Sequence, residues 1–306
     1  MASRVVIGID WGSSEFRAYR FAADGSIADV RTSNRGTRSI AQGSDRDAAF
    51  EAALVAELGD WLAEGPDVVL SGMVCSRNGW VETPYMQVPV REDDLSRGVV
   101  SRDFGAARLG FLPGVAMSRP VADVMRGEEV EVFGANLGPR PALVVLPGTH
   151  SKWAHVSDGR IESFATIITG ELFELLRHKS LIGELADGDE FNELAFLSGV
   201  DEALDDLAES GGLVRRLFGA RAGVLVGGHP AVDVSSYLSG LLIGNEIHEA
   251  DRMFGAVDRA VVVGTPLVTE RYDLALKRAG IITSIAAPDA AARGLWRIAS
   301  RLRVTR

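Results

Sequence analysis

Two short polar turns in this chain have the composition of phosphate cradles: Asp10-Trp11-Gly12-Ser13-Ser14 and Gly148-Thr149-His150-Ser151. In each, a glycine and small hydroxyl residues stand at a bend where free backbone N–H groups can wrap a phosphate. A carboxylate beside bound phosphates, here Asp10, is a natural partner for Mg²⁺, which takes oxygen ligands and keeps several waters. Two such turns facing each other would clasp a polyphosphate. A third pair, Gly264-Thr265, would let backbone approach a base or ribose, and reads equally well as a plain strand-to-helix turn. Taken singly, Asp10 is as well explained as the cap of a turn that Gly12 permits; the pairing of the turns is what favours phosphate. Other fingerprints are missing. The chain has no G-x-x-x-x-G-K-[ST], no G-x-G-x-x-G after a strand and no H-E-x-x-H, and its five histidines lack ligand spacing.

The elements that must position these turns repeat along the chain. Residues 5–10 are a β-branched apolar run, residues 16–21 a second strand, Asp24-Gly25 a hairpin turn and residues 27–32 a third strand. The same order returns at 143–146, 147–151, 152–156, Asp158-Gly159 and 161–168. After the first meander, Phe50, Leu54, Leu58 and Trp61 fall on one face of a predicted helix over 48–62, closed by Gly65-Pro66. A strand at 68–70 then enters a glycine-bracketed turn, residues 71–80. Residues 84–121 show too little periodicity to assign. Helices are predicted over 170–178, 200–208, 213–218 and 232–250. A strand at 260–263, a helix opened by Pro266, a strand at 281–285 and an amphipathic helix over 289–302 follow.

The 306 residues suffice for two ordinary domains, divided at 140/141 into segments 1–140 and 141–306. Hydrophobic residues make up 46% and charged residues 24%, a soluble globular balance. With 32 Lys+Arg against 42 Asp+Glu, the formal charge of −10 has the wrong sign for nucleic acid or anionic membrane. One cysteine, Cys75, and the lack of a leader or spanning segment point to the cytoplasm. Apolar faces on the late helices suit a homodimer and core packing equally.

Six blocks carry a resemblance: I-D-W-G-S-S-x-F-R-A at 9–18, S-G-M-V-C-S-R-N-G-W-V-E at 71–82, D-V-M-R-G-E-E at 123–129, L-P-G-T-H-S-K-W at 146–153, T-G-E-L-F-E-L-L at 169–176 and Y-L-S-G-L-L-I-G-N-E at 237–246. The repeated meander resembles the superfamily of sugar kinases, heat-shock ATPases and actin. More narrowly, the blocks resemble the 2-dehydro-3-deoxygalactonokinase family, which phosphorylates 2-keto-3-deoxygalactonate at its 6-hydroxyl; nothing in 84–121 aligns. The resemblance implies a two-domain actin-like (ribonuclease H-like) α/β fold with duplicated βββαβα cores and a cleft for ATP, Mg²⁺ and a small sugar acid. It matches Asp10, Gly12, Ser13 and Ser14 to the first phosphate motif, with Asp10 at the metal. Gly148, Thr149, His150 and Ser151 match the second motif, and Gly264 and Thr265 the adenosine region.

A sugar-acid substrate calls for a guanidinium that can grip its carboxylate. Arg77, beside Ser76, and Arg126 are the candidates, with Arg17 a third; for each, an ordinary ion pair is an equal alternative. Related kinases place an Asp base where this chain has Ser151, so a base must come from elsewhere. Asp123, Glu128 and Glu129 around Arg126 are the leading carboxylates, and His150 is an alternative. Glu128 and Glu129 also suit a helix N-terminus. Lys152 either compensates phosphoryl charge or snorkels from a strand. Two rival readings stand beside this one: a kinase for another sugar or sugar acid, and a non-catalytic nucleotide-dependent module on the same fold.

Overall fold

In the computed structural model, which describes residues 5–40, 45–138, 140–205 and 211–304, the first meander is β1 (Val6–Trp11), β2 (Phe16–Phe21) and β3 (Ile27–Ser33). The strands are antiparallel, with Asp10 opposite Arg17 and Trp11 opposite Phe16. β1 is buried on both faces, with Val6, Ile7, Ile9 and Trp11 in the core, as suits a central strand, and Asp10 comes near its carboxyl end. After α1 (Thr37–Ile40), α2 (Arg46–Leu62) starts at Asp45, whose carboxylate accepts the Ala48 N–H at 3.1 Å. Its buried residues Phe50, Leu54, Leu58 and Trp61 are the face that the sequence predicts.

β4 (Asp67–Ser71) runs parallel to β1, placing Ser71 beside Asp10. The unassigned stretch contains real but short elements: β5 (Tyr85–Gln87), α3 (Glu92–Arg97), β6 (Val100–Phe104), β7 (Ala107–Phe111) and β8 (Gly114–Met117). Strands of three to five residues are too short to display a period. β9 (Asp123–Met125) and α4 (Glu128–Gly134) follow. The main sheet has the order β3-β2-β1-β4-β7-β6, and β5-β8-β9 form a smaller one.

The second meander is β10 (Ala142–Leu146), β11 (Ser151–Ser157) and β12 (Arg160–Ile167). The helices are α5 (Thr169–Lys179), α6 (Glu193–Leu204), α7 (Leu213–Leu225) and α8 (Val234–Phe254). The helix expected at 200–208 thus begins earlier. Asn192 fixes its start by accepting the N–H groups of Leu194 and Ala195, and residues 206–208 lie outside the described ones. β13 (Arg259–Val262), α9 (Pro266–Arg278), β14 (Ile282–Ile285) and α10 (Ala290–Val304) close the chain. The sheet order is β12-β11-β10-β13-β14, with β10, β13 and β14 parallel. In both sheets the strand that feeds a candidate phosphate turn, β1 or β10, lies between its own meander and a parallel strand. That shared order is the duplication that the sequence repeats announce.

The chain forms two compact units. The first takes residues 1–141, 156–164 and 287–306; the second takes 142–155 and 165–286. The last helix, which a division at 140/141 would give to the second segment, therefore belongs to the first unit. Gly134 and Gly294 let α4 and α10 touch backbone to backbone, since a Cβ on Gly134 would lie 1.8 Å from the Ala290 carbonyl oxygen. Arg293 and Arg297 then donate to the last carbonyls of α4, Gly134 and Phe133. Leu238 and Leu241 of α8 and Leu295 and Ile298 of α10 are buried in the core, whereas Met253 of α8 is half exposed.

Candidate active site

In the first unit, the carbonyl oxygens of Gly12, Ser13 and Ser14 accept from Thr37, Arg38 and Gly36, respectively. A Cβ on Gly36 would sit 2.2 Å from the Ser13 carbonyl oxygen, so the 36–38 segment can close on the turn only through a glycine. Gly12 itself has neither a left-handed φ nor a crowded Cβ position, the nearest atom being 3.7 Å away. Its N–H donates to the Glu15 carbonyl at 3.0 Å, so what Gly12 offers a phosphate is the uncrowded space where a side chain would stand.

Asp10 sits at the carboxyl end of β1, the edge where ligands of open α/β sheets bind. Burial, together with the charges of Glu128 and Glu15, pushes its carboxyl up to about 6 against the opposing pull of Arg17. Glu131, three residues after Glu128 on α4, is pushed up to about 8, first by burial and then by Asp10 and Glu128. Two expected residues, Arg17 and Glu128, thus meet at Asp10, joined by Glu131, which the sequence reading missed. Its signal was available: E-E-V-E places Glu128 and Glu131 on one helical face. A left-handed Gly72, φ 92°, packs beside Asp10 and Gly127 and lets the start of α4 approach the carboxylate.

Arg126 is buried. Its guanidinium lies 4.2 Å over the Tyr85 ring and donates to the Thr83 hydroxyl and, at 3.0 Å, to the Thr83 carbonyl oxygen. Its Nε is buried without a hydrogen-bond partner among the described residues. A desolvated, pre-oriented guanidinium with donors left over suits a carboxylate ligand. Glu128 accepts the Arg126 backbone N–H at 2.9 Å and Glu129 the Gly127 N–H at 2.7 Å, so both acids do serve the start of α4. Burial pushes the Glu129 carboxyl up to about 8, with Glu128 adding to the rise. Asp123 lies three residues before Arg126 on β9, bonded to the Val124 N–H. Arg77, in contrast, is exposed and makes no ion pair among the described residues, and the Ser76 hydroxyl donates to the Met73 carbonyl within the turn.

In the second unit the turn at 147–150 is held from two sides. A Cβ on Gly170 would lie 2.4 Å from the Gly148 carbonyl oxygen, and the Glu171 N–H donates to the Thr149 carbonyl at 2.9 Å. The Glu171 carboxylate meets His150 Nε2 at 2.5 Å. Lys152, almost fully buried, donates to the His150 carbonyl. Gly148, like Gly12, has open space where a Cβ would be. Ser151 is fully buried, its hydroxyl turned into the core 2.8 Å from that of Tyr272, which leaves only its backbone for a phosphate. Gly264 and Thr265 are exposed at the carboxyl end of β13, next to the strand that carries this turn.

The donor sets fit Mg·ATP. Among the described residues no three His, Cys, Asp or Glu groups gather to hold a metal alone. A single strand-end carboxylate, Asp10, completed by phosphate oxygens, is the usual way protein binds Mg²⁺.

The duplicated sheet with paired Gly-hydroxyl turns defines the chain as an actin-like ATPase-type α/β protein. The solved component A of (R)-2-hydroxyglutaryl-CoA dehydratase from Acidaminococcus fermentans shares this fold at 14% identity, TM-score 0.55, over 99% of this chain and 100% of that one. Residues 10–298 match the 2-keto-3-deoxy-galactonokinase family, to which the chain belongs. It is 35% identical over 298 residues to the 2-dehydro-3-deoxygalactonokinase of Escherichia coli (strain K12), covering 96% of this chain and 97% of that protein. A Rhizobium meliloti (strain 1021) protein provisionally given the same name is 34% identical over 303 residues, 94% of this chain and 96% of that one. A crystal structure from Sinorhizobium meliloti, also provisionally named so, superposes with TM-score 0.88 at 31% identity over 98% of this chain and 99% of that chain.

Proposed function

We propose that the protein transfers the γ-phosphoryl group of ATP to the 6-hydroxyl of 2-dehydro-3-deoxy-D-galactonate, yielding the 6-phosphorylated keto acid in galactonate breakdown. The observation that carries this reading is family membership over residues 10–298, a range that contains both turns. No described helix is long and apolar enough to cross a membrane, and both substrates belong to the cytoplasm, where we place the enzyme.

In this reading Asp10 holds Mg²⁺, which neutralises charge on the phosphates during transfer. The turn of Gly12, Ser13 and Ser14 and that of Gly148, Thr149 and Ser151 receive phosphate oxygens, the two glycines by leaving space beside the turn, and Gly264 and Thr265 border the adenosine. Arg126, oriented by Thr83 and Tyr85, grips the substrate carboxylate; with a net charge of −10, recognition of an anion has to be local. Arg17 moderates the negative cluster around Asp10. Glu128, whose charge acts on Asp10, is the preferred acceptor of the 6-hydroxyl proton, ahead of Asp123. His150 and Lys152 stiffen the second turn rather than take part in proton transfer.

The test is ADP release by the purified protein with Mg·ATP, comparing 2-keto-3-deoxygalactonate, 2-keto-3-deoxygluconate, galactonate, glucose and no sugar. Turnover confined to the first compound is expected. Equal or greater turnover with another acceptor transfers the assignment to that acceptor, and nucleotide binding without sugar-dependent release would overturn it.

A further inference from the structure

Glu246 lies within α8 with no solvent exposure. A buried carboxylate persists only where hydrogen bonds replace its lost hydration. The Trp153 indole N–H donates to Oε1 at 2.6 Å and the Tyr272 hydroxyl to Oε2 at 2.8 Å. A hydrogen bond from Thr169 also stabilises its charge. Because the Tyr272 proton points at the carboxylate, its oxygen is left to accept from the Ser151 hydroxyl at 2.8 Å.

The places these partners occupy in the chain give the network its meaning. Ser151 and Trp153 open β11, directly after the turn at 147–150. Thr169 opens α5, and its neighbour Gly170 packs on the Gly148 carbonyl. One carboxylate therefore gathers both ends of the segment that forms the second phosphate turn, and Tyr272 ties in α9, which starts just after Gly264-Thr265.

We propose that Glu246, with Tyr272, is a positioning residue for nucleotide: its hydrogen bonds hold the 148–151 turn and the start of α5 in the shape that receives ATP phosphates. This rests on the nucleotide-binding reading of that turn. It also accounts for a serine where related kinases carry an acid, since here the side chain at 151 anchors the turn from beneath.

The experiment measures ATP-analogue binding by calorimetry alongside steady-state kinetics for wild type, Glu246→Gln, Tyr272→Phe and Ser151→Ala. Expected is a loss of at least about tenfold in analogue affinity and a matching rise in KM for ATP in Glu246→Gln, with KM for the sugar acid changed less than about twofold. Tyr272→Phe and Ser151→Ala should show smaller losses that do not add when combined, because they break the same link. If Glu246→Gln fails to fold, the Tyr272→Phe and Ser151→Ala pair decides. Analogue affinity within twofold of wild type in the folded variants would overturn the proposal, as would equal rises in both KM values. Wild type that binds the analogue but turns over no sugar acid would defeat the kinase reading and leave this one standing.

Discussion

Gly170 meets Gly148 so closely that a single added methyl would lie 2.4 Å from the Gly148 carbonyl oxygen and 2.8 Å from the Thr149 Cα. Gly36 stands in the same relation to Ser13 in the other unit. Both neighbours are backbone, which cannot swing aside as a long side chain would. Gly170→Ala should therefore displace the 147–150 turn, proposed to bind phosphate, at a cost of ~1–3 kcal/mol. The expected outcome is a folded protein with a lowered Tm and an ATP-analogue affinity reduced about tenfold or more, measured by calorimetry. An affinity equal to wild type would mean the turn yields without consequence for nucleotide.

Under the proposed function, Arg126 tests substrate binding apart from nucleotide binding. Two of its bonds go to Thr83 and its plane rests on Tyr85, so the guanidinium is aimed before any ligand arrives. Arg126→Lys keeps the charge but loses the planar fork, and should raise KM for the keto acid roughly 10- to 100-fold, the worth of one or two charge-assisted hydrogen bonds. KM for ATP should change little. The parallel variant Arg77→Ala, at an exposed side chain without an ion pair among the described residues, should leave both constants within about twofold of wild type. A large effect at Arg77 with none at Arg126 would reverse the assignment of the carboxylate grip.

Glu129 gives a pH signature. Its carboxyl is raised by burial to about 8 from an ordinary value near 4.5. Between those values the unfolded chain gives up this proton while the folded one keeps it, so the native state binds more protons and stability falls as pH rises. Glu129→Gln copies the neutral acid and escapes that loss. The variant and wild type should melt together near pH 5, and the variant should melt higher, by about 4 °C or more, near pH 8.5. A difference that shrinks as pH rises would contradict the sign worked out here.

The two turns proposed to receive phosphate were legible as turns because each interrupts an apolar strand with glycine and hydroxyls, and because the same order of elements occurs twice. The glycines that lock them were not. Gly36 and Gly170 owe their identity to backbone that is far away in sequence, and no local pattern records that approach. Glu246 leaves only a faint trace, one acid closing the apolar run Y-L-S-G-L-L-I-G-N-E, and Trp153 and Tyr272, its partners, lie 93 and 26 residues away. Likewise, amphipathicity predicts that 289–302 is a helix with a buried face, but not that this face returns to the first unit. That choice rests on the Gly134–Gly294 contact and the arginines that cap α4.

Asp10 joins stability to function in one residue. Its carboxyl, raised to about 6 mainly by burial, with Glu128 and Glu15 adding to the rise, is held in the folded state at a cost once it ionises. The unfolded chain loses this proton near pH 3.8, so the cost grows from there to about pH 6 and is complete above it. A carboxylate kept in such surroundings is poised for a cation, and Mg·ATP binding to the native state would offset the cost. Asp10→Asn should accordingly raise the Tm of the ligand-free protein at pH 7.5 while lowering turnover by more than about 10³-fold, in line with removal of a metal-holding group. Mg·ATP should raise the wild-type Tm and leave that of Asp10→Asn nearly unchanged. Calorimetric melting with and without Mg·ATP, run beside the ADP-release assay, checks all three outcomes. A variant that is less stable than wild type yet retains its turnover would show that Asp10 caps the turn and holds no metal.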